Sequence, residues 1–160
     1  MEVTARPAAP SDIPRLVALY RELEHEMVEL KPVWRLTDGL PEPVEAAFSM
    51  ILADPGAHLI VGAIDDLVFG FLHGAIGDLL PQADGRRVGS VQHVFTSRPA
   101  REVGVGEAMI EQFLSVLDER GVRLVDAVAP PGQRNTKNFY ESHGFKARRI
   151  VMHRNLEDEE

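Results

Sequence analysis

Arg101-Glu102-Val103-Gly104-Val105-Gly106 joins an apolar run, Val91 to Thr96, to a helix predicted to reach about Arg120. Two glycines two residues apart at a helix start let the backbone approach a ligand closely. The helix's free N–H groups then face any anion seated there. Arg101, just ahead of the turn, adds a planar charged fork suited to a pyrophosphate. A tight strand-to-helix turn with ordinary glycines reads the same way, so the frame around the turn must arbitrate.

Downstream, Val105, Met109, Phe113 and Val116 form one helical stripe with Ile110, Leu114 and Leu117 beside it, and Gly121 suits a left-handed cap. Val122 to Ala129 is apolar on both faces, as a buried parallel strand requires. Pro130-Pro131-Gly132 ends it. Gln133 to His143 is predicted helical, capped by Gly144, and Phe145 to Leu156 is expected to add one or two strands.

Upstream, Val3 to Arg6 alternates as a short strand. Ser11 and Asp12 offer capping side chains for a helix whose apolar face is Ile13, Leu16, Val17, Tyr20, Leu23, Met27 and Leu30. Lys31 to Leu40 reads as a loop holding the lone tryptophan, Trp34. Pro43 opens a second helix that ends before Asp54-Pro55-Gly56. His58 to Ile64 and Leu67 to Ala75, separated by Asp65-Asp66, read as a hairpin. Gly77 to Gly89 is a loop before the central strand, Val88 to Thr96. The order is mixed α/β with a strand-helix-strand crossover through the glycine turn.

At 160 residues and 44% hydrophobic, the chain is expected to form one domain over residues 1–156, with an acidic tail at 157–160. The formal net charge is −8, half of it in that tail, which argues against a nucleic-acid partner. Without cysteine there is no disulfide, thiol catalysis or thiolate metal site. No stretch resembles a signal peptide or a bilayer span, so the expectation is a cytoplasmic protein with no membrane partner. The six histidines form no close ligand pair with an acid between them, and no metal is expected.

With these elements in place the chain resembles the GCN5-related N-acetyltransferase (GNAT) family. The family signature, [Gln/Arg]-x-x-Gly-x-[Gly/Ala] between its fourth strand and third helix, is met by Arg101, Gly104 and Gly106. A second element, an aromatic-Tyr pair followed by Gly-Phe, is Phe139-Tyr140 with Gly144-Phe145. Within the family, Val91 to Gly106 followed by Asn138-Phe139-Tyr140 is loosely similar to the polyamine (diamine) acetyltransferases. The resemblance implies a GNAT-like mixed central sheet of six to seven strands flanked by about four helices. It also implies acetyl transfer from acetyl-CoA to a primary amine of a small molecule or peptide, directly in a ternary complex, and a homodimer through the late strands.

The resemblance further implies that the pantetheine arm bonds to the main chain of Val94, Phe95 and Thr96. The pyrophosphate would sit on the amides of Glu102, Val103, Gly104, Val105, Gly106 and Glu107, beside Arg101. It puts Tyr140 near the sulfur as general acid and an oxyanion-binding amide around Val94 or Phe95. Where the family often has Asn and Ala ahead of the tyrosine, this chain has Gln133 and Thr136, so Gln133, Asn135 or Asn138 would supply the polar cofactor contact.

The base is the departure. Relatives with a carboxylate on the fourth strand would carry it at Gln92, and an amide takes no proton at neutral pH. Alternation puts Gln92 and Val94 on one face and His93 on the other, so His93 has the right chemistry but an uncertain side. A structural imidazole is the competing reading of His93, and Glu24, Glu26, His73 or a water relay are further candidates. The acceptor pocket is expected from the Lys31–Leu40 loop, the first two helices and the Gly77–Gly89 loop, with Trp34 and Gln92 lining it and Glu26 drawing in a cation.

The missing carboxylate leaves a second function open, an acyl-CoA-binding sensor or partner module of the same fold without turnover. Dinucleotide and P-loop readings fail on spacing, because position 109 is Met and no Gly-Lys-Ser/Thr follows the turn.

Overall fold

The structure, a computed structural model, describes residues 1–30, 33–129 and 134–158. The chain divides into two compact units, Met1–Val128 and Ala129–Glu160.

The first unit is built on one sheet in the order β1-β2-β3-β4-β5, with β1 Val3–Pro7, β2 Ala57–Ile64, β3 Leu67–Asp78, β4 Arg87–Thr96 and β5 Leu124–Ala127. The first three pairings are antiparallel and β4–β5 is parallel. Its helices are α1 Ile13–Leu30, α2 Trp34–Thr37, α3 Val44–Ala53 and α4 Val105–Glu119. Asp65 and Asp66 take φ of 48° and 68°, two successive left-handed residues that match the twist of a two-residue hairpin between β2 and β3.

The α1 periodicity is realised as a buried stripe, Leu16, Leu19, Tyr20, Leu23 and Met27. Ahead of the helix, Asp12 accepts from the Ala9 amide at 2.8 Å and from both ends of the Arg6 guanidinium at 2.8 and 2.9 Å. The arginine holds the Asp12 carboxyl below the usual carboxylate range. The α1 stripe joins Trp34, Val44, Phe48, Leu59, Val61, Phe71 and Phe95 in one core on one face of the sheet.

The other face carries α4, which lies close because glycines interrupt the strands. A Cβ at Gly74 would meet the Phe113 ring at 2.6 Å, and one at Gly89 would meet Leu117 at 2.7 Å. Residue order alone places Gly74 in a β-rich run and Gly89 where the expected loop meets the central strand. They are the floor on which the turn-bearing helix rests.

Three expectations change. The loop expected at Gly77–Gly89 contracts to residues 79–86, because β3 runs on to Asp78 and β4 begins at Arg87. Trp34 sits in the short helix α2 rather than in a loop, and it is buried. Among the described residues there are five strands, not six to seven, because Phe145 to Asn155 joins no ladder. Ile150, Val151 and Met152 are all exposed, so these apolar side chains bury no face that would reward pairing.

In the second unit α5 spans Arg134–Ser142, and Gly144 follows at φ 87° as its left-handed stop. Gln133 lies outside the described residues. No helix among those described is long and apolar enough to cross a membrane.

Candidate active site

The glycine turn is formed as its sequence requires. Gly104, with φ 99° and ψ 6°, is the residue before α4, a conformation that L side chains rarely adopt. Glu102 is also left-handed, at φ 67°. The Ala108 amide closes the first helical bond on the Gly104 carbonyl at 3.0 Å. The amides of Val105, Gly106 and Glu107 precede it and are the orphan donors of a helix start. Nothing lies within 4 Å of where a Gly104 Cβ would stand. With open space beside Gly104, the N–H groups of this helix start are free to meet an anion, to which Glu102 and Glu107 would contribute only backbone.

Arg101 is not a free fork beside the turn. Its Nε donates to the Thr96 carbonyl at 2.9 Å, its Nη2 lies 2.9 Å from both oxygens of Glu26, and the guanidinium sits over the Phe95 ring. Ser97 donates to Glu22 at 2.8 Å, and Arg98 reaches Glu26 at 3.4 Å. Two carboxylates of α1 therefore tie down the connection between β4 and α4. Glu26, expected to draw in a cationic amine, is engaged instead in holding the turn. Glu24 is likewise paired, with Arg21 at 3.0 Å and Arg35 at 3.6 Å.

The middle of β4 corrects the alternation argument. Ala75 pairs with Ser90 and Gly74 with Val91, but His73 pairs with His93, so Gln92 is an extra, unopposed residue. This is a β-bulge. His73 and Ala75 are two apart on β3 and share a face, so their partners His93 and Ser90 share it too. Gln92 donates to the Ser90 hydroxyl at 3.1 Å and belongs with them. Gln92 and His93, expected on opposite sides, lie on the same one, which is also the side of Trp34. The pairing of β4 with β5 covers only Val88–Val91, so Gln92 to Thr96 run past the end of the described parallel ladder.

His93 stacks on His73 at 5.8 Å between ring centroids and meets the Trp34 ring edge-to-face at 6.0 Å. Its Nε2 is 2.7 Å from the Asp38 carbonyl oxygen. A carbonyl only accepts, so Nε2 carries the proton and Nδ1 keeps a lone pair. That Nδ1 is buried and has no partner among the described residues, and the same holds for His73 Nδ1. Burial lowers both imidazoles, His73 to about 4, with each other's proximity adding to the effect on His73. Both are neutral at physiological pH. Sequence reading had no means to pair them, because the pairing depends on the bulge.

In the second unit Tyr140 is buried between Phe139 and Phe145, at 5.5 and 5.3 Å between centroids. Its hydroxyl has no hydrogen-bond partner among the described residues, and burial pushes its pKa above the ordinary phenol value. It stays protonated, as an acid must be before it acts. Asn135 is exposed on α5.

The profile of the acetyltransferase (GNAT) family matches residues 16–145. The chain belongs to the GNAT acetyltransferase family. Its acyl donor is accordingly acetyl-CoA, and it is an acyl-CoA-dependent N-acetyltransferase. Three solved structures illustrate the shared fold of this GNAT protein. A transcriptional regulator from Bacillus halodurans C-125 is 24% identical with a TM-score of 0.77, over 97% of this chain and 100% of that one. A ribosomal-protein-alanine N-acetyltransferase from Brucella melitensis biovar Abortus 2308 is 18% identical with a TM-score of 0.72, over 98% and 100%. AAC(6')-Iy, solved with the bisubstrate analogue CoA-S-monomethyl-acetylneamine, is 17% identical with a TM-score of 0.72, over 97% and 99%. No curated protein is similar enough to count as a match.

Proposed function

We propose that this GNAT protein transfers the acetyl group of acetyl-CoA directly to one primary amine of a small molecule or peptide, with His93 as general base. The observation that carries the reading is the lone pair on His93 Nδ1, buried and unpartnered beside the bulge of the strand that leads into the glycine turn.

Acetyl-CoA supplies a thioester, an activated acyl donor. In this reading the amides of Glu102 to Glu107 hold the pyrophosphate, the main chain of Val94, Phe95 and Thr96 bonds the pantetheine arm, and Gln133 or Asn135 adds a polar contact. Arg101 acts by fixing the turn against Glu26. His93 Nδ1 takes a proton from the acceptor ammonium, which leaves the nitrogen free to attack. A β4 amide near Val94 or Phe95 would donate to the acyl oxygen as charge builds there; as the C–S bond breaks, Tyr140 Oη would give its proton to the departing sulfur, and the proton that the nitrogen sheds on becoming an amide restores the phenol.

Glu24 and Glu26 are paired with arginines, which leaves Glu29, exposed near the end of α1 beside His25, and so supports an acceptor with a single amine over a polycation. The likeness to polyamine acetyltransferases therefore gains no support from that face. Trp34, buried against His93, would form the wall behind the amine rather than its floor. The exposed Ile150-Val151-Met152 stretch supports a homodimer, which light scattering would test, and the absence of cysteine supports a reducing cytoplasm.

The test is thiol release from acetyl-CoA across an amine panel, a readout to which this cysteine-free chain adds no background. His93→Ala is expected to lower turnover roughly 10²- to 10⁴-fold with unchanged CoA affinity. A folded protein that binds no CoA would sink the reading. The alternative, an acyl-CoA-binding module without turnover, is favoured only by Gln92 standing where relatives carry a carboxylate. Tight CoA binding with no turnover on any amine would select it.

A further inference from the structure

The segment after α2 is tied to the rest of the protein at two points, and together they concern the proposed base. The Leu40 amide donates to Tyr20 Oη at 2.8 Å, and the Asp38 carbonyl accepts from His93 Nε2 at 2.7 Å. Tyr20 is fully buried on α1, packed on Trp34 and edge-on to Phe48, so its hydroxyl is a fixed point. Asp38 is itself held from the helix side, its amide donating to the Trp34 carbonyl at 2.8 Å. The residue between the two anchors, Gly39, is constrained by the same contact. A Cβ there would stand 2.8 Å from Tyr20 Oη and 3.1 Å from the Arg35 carbonyl.

We propose that Tyr20, Gly39 and the Asp38 carbonyl are positioning residues that lock His93 in its Nε2–H tautomer and so present Nδ1 as the proton acceptor. The inference rests on the reading of His93 as base. A neutral imidazole in solution exchanges between two tautomers, and only one leaves Nδ1 able to accept. With burial denying His93 its water, the Asp38 carbonyl is the partner that selects between them. Tyr20→Phe removes the acceptor for the Leu40 amide and frees the segment. Gly39→Ala pushes on the same hydroxyl and, less closely, on the Arg35 carbonyl.

The experiment is nitrogen NMR of imidazole-labelled apo protein, paired with steady-state kinetics. Wild type is expected to show His93 Nε2 as a protonated and Nδ1 as an unprotonated nitrogen. In Tyr20→Phe and Gly39→Ala the two shifts are expected to move toward each other, with kcat down roughly fivefold, the worth of about one neutral hydrogen bond, and KM for acetyl-CoA unchanged. Wild type in the Nδ1–H tautomer, or both variants leaving the shifts unmoved, would overturn the lock. His93→Ala with full activity would instead overturn the base assignment, while the shifts would still report on the lock.

Discussion

Arg101 and Glu26 meet across 75 residues of sequence, one Nη2 nitrogen standing 2.9 Å from each carboxylate oxygen. The arginine of the glycine signature thus serves the turn from behind. Its Nε bond to the Thr96 carbonyl fixes the end of β4, and its Nη2 fixes α1 to that end. Because the pair is partly shielded from water, it keeps more of its strength than a surface ion pair would.

Glu26→Gln should therefore weaken cofactor binding without touching the chemistry. The expected result is a Kd for CoA raised roughly fivefold to tenfold, the value of one or two hydrogen bonds, with kcat retained at saturating acetyl-CoA. Calorimetric titration with saturation kinetics checks it. An unchanged Kd would mean that the turn holds its shape without α1.

Gly104→Ala tests the turn from its backbone. Nothing stands where the new Cβ would go, so the cost is conformational strain alone, about 1–2 kcal/mol for an L residue at this φ. For a chain of this size that corresponds to a melting temperature lower by roughly 2–8 °C. The fold should survive, by circular dichroism, while CoA affinity falls. A variant with wild-type affinity would show that the amides find the anion without the left-handed residue.

The parts of this site differ in how far they could be read from residue order alone. The glycine turn, the Asp65-Asp66 hairpin and the α1 stripe depend on neighbours within one or two turns of chain, and their residue types state them. The bulge at Gln92 depends on how β4 meets β3, and a one-residue slip reverses which face a side chain takes. That is why His93 looked misplaced beside Gln92, and why His73 could be named as a base candidate but not as its stacking partner. The partner of Arg101 was equally hidden, since no local pattern links residue 26 to residue 101. The strands expected after Phe145 fail for a related reason: apolar β-branched residues favour a strand only where another strand stands beside them.

The histidine pair makes stability depend on pH. His73 titrates near 6.5 when unfolded and at about 4 in the folded chain, where burial and His93 disfavour its charge and Asp54 opposes this weakly. Burial lowers His93 as well, against the carbonyl and the charge of Asp38, which raise it. Between pH 6.5 and 4 the unfolded chain binds the extra protons, so stability rises with pH across that window. The His73 contribution is complete above about pH 6.5 and lost as pH falls toward 4, amounting to about 3 kcal/mol for the full shift. Urea unfolding at pH 7 and pH 4.5 should show a smaller loss for His73→Gln than for wild type. Equal losses in the two proteins would take His73 out of the acid sensitivity and leave it to the other groups, His93 among them.

Tyr140 gives the last prediction. Its phenol is buried with aromatic rings on two sides and is pushed above its ordinary value, so it should hold its proton through pH 10. If it supplies the proton to the departing sulfur, kcat should show no alkaline decline from its ionisation. Tyr140→Phe, which keeps the ring between Phe139 and Phe145, should then lower kcat by roughly 10²-fold with the melting temperature and CoA affinity held. The phenylalanine variant also removes a buried hydroxyl without a partner among the described residues, so packing alone predicts equal or higher stability. The two roles therefore separate in one variant. A drop in kcat with an undiminished melting temperature assigns the hydroxyl to chemistry, whereas unchanged kcat with a raised melting temperature assigns the ring to packing alone.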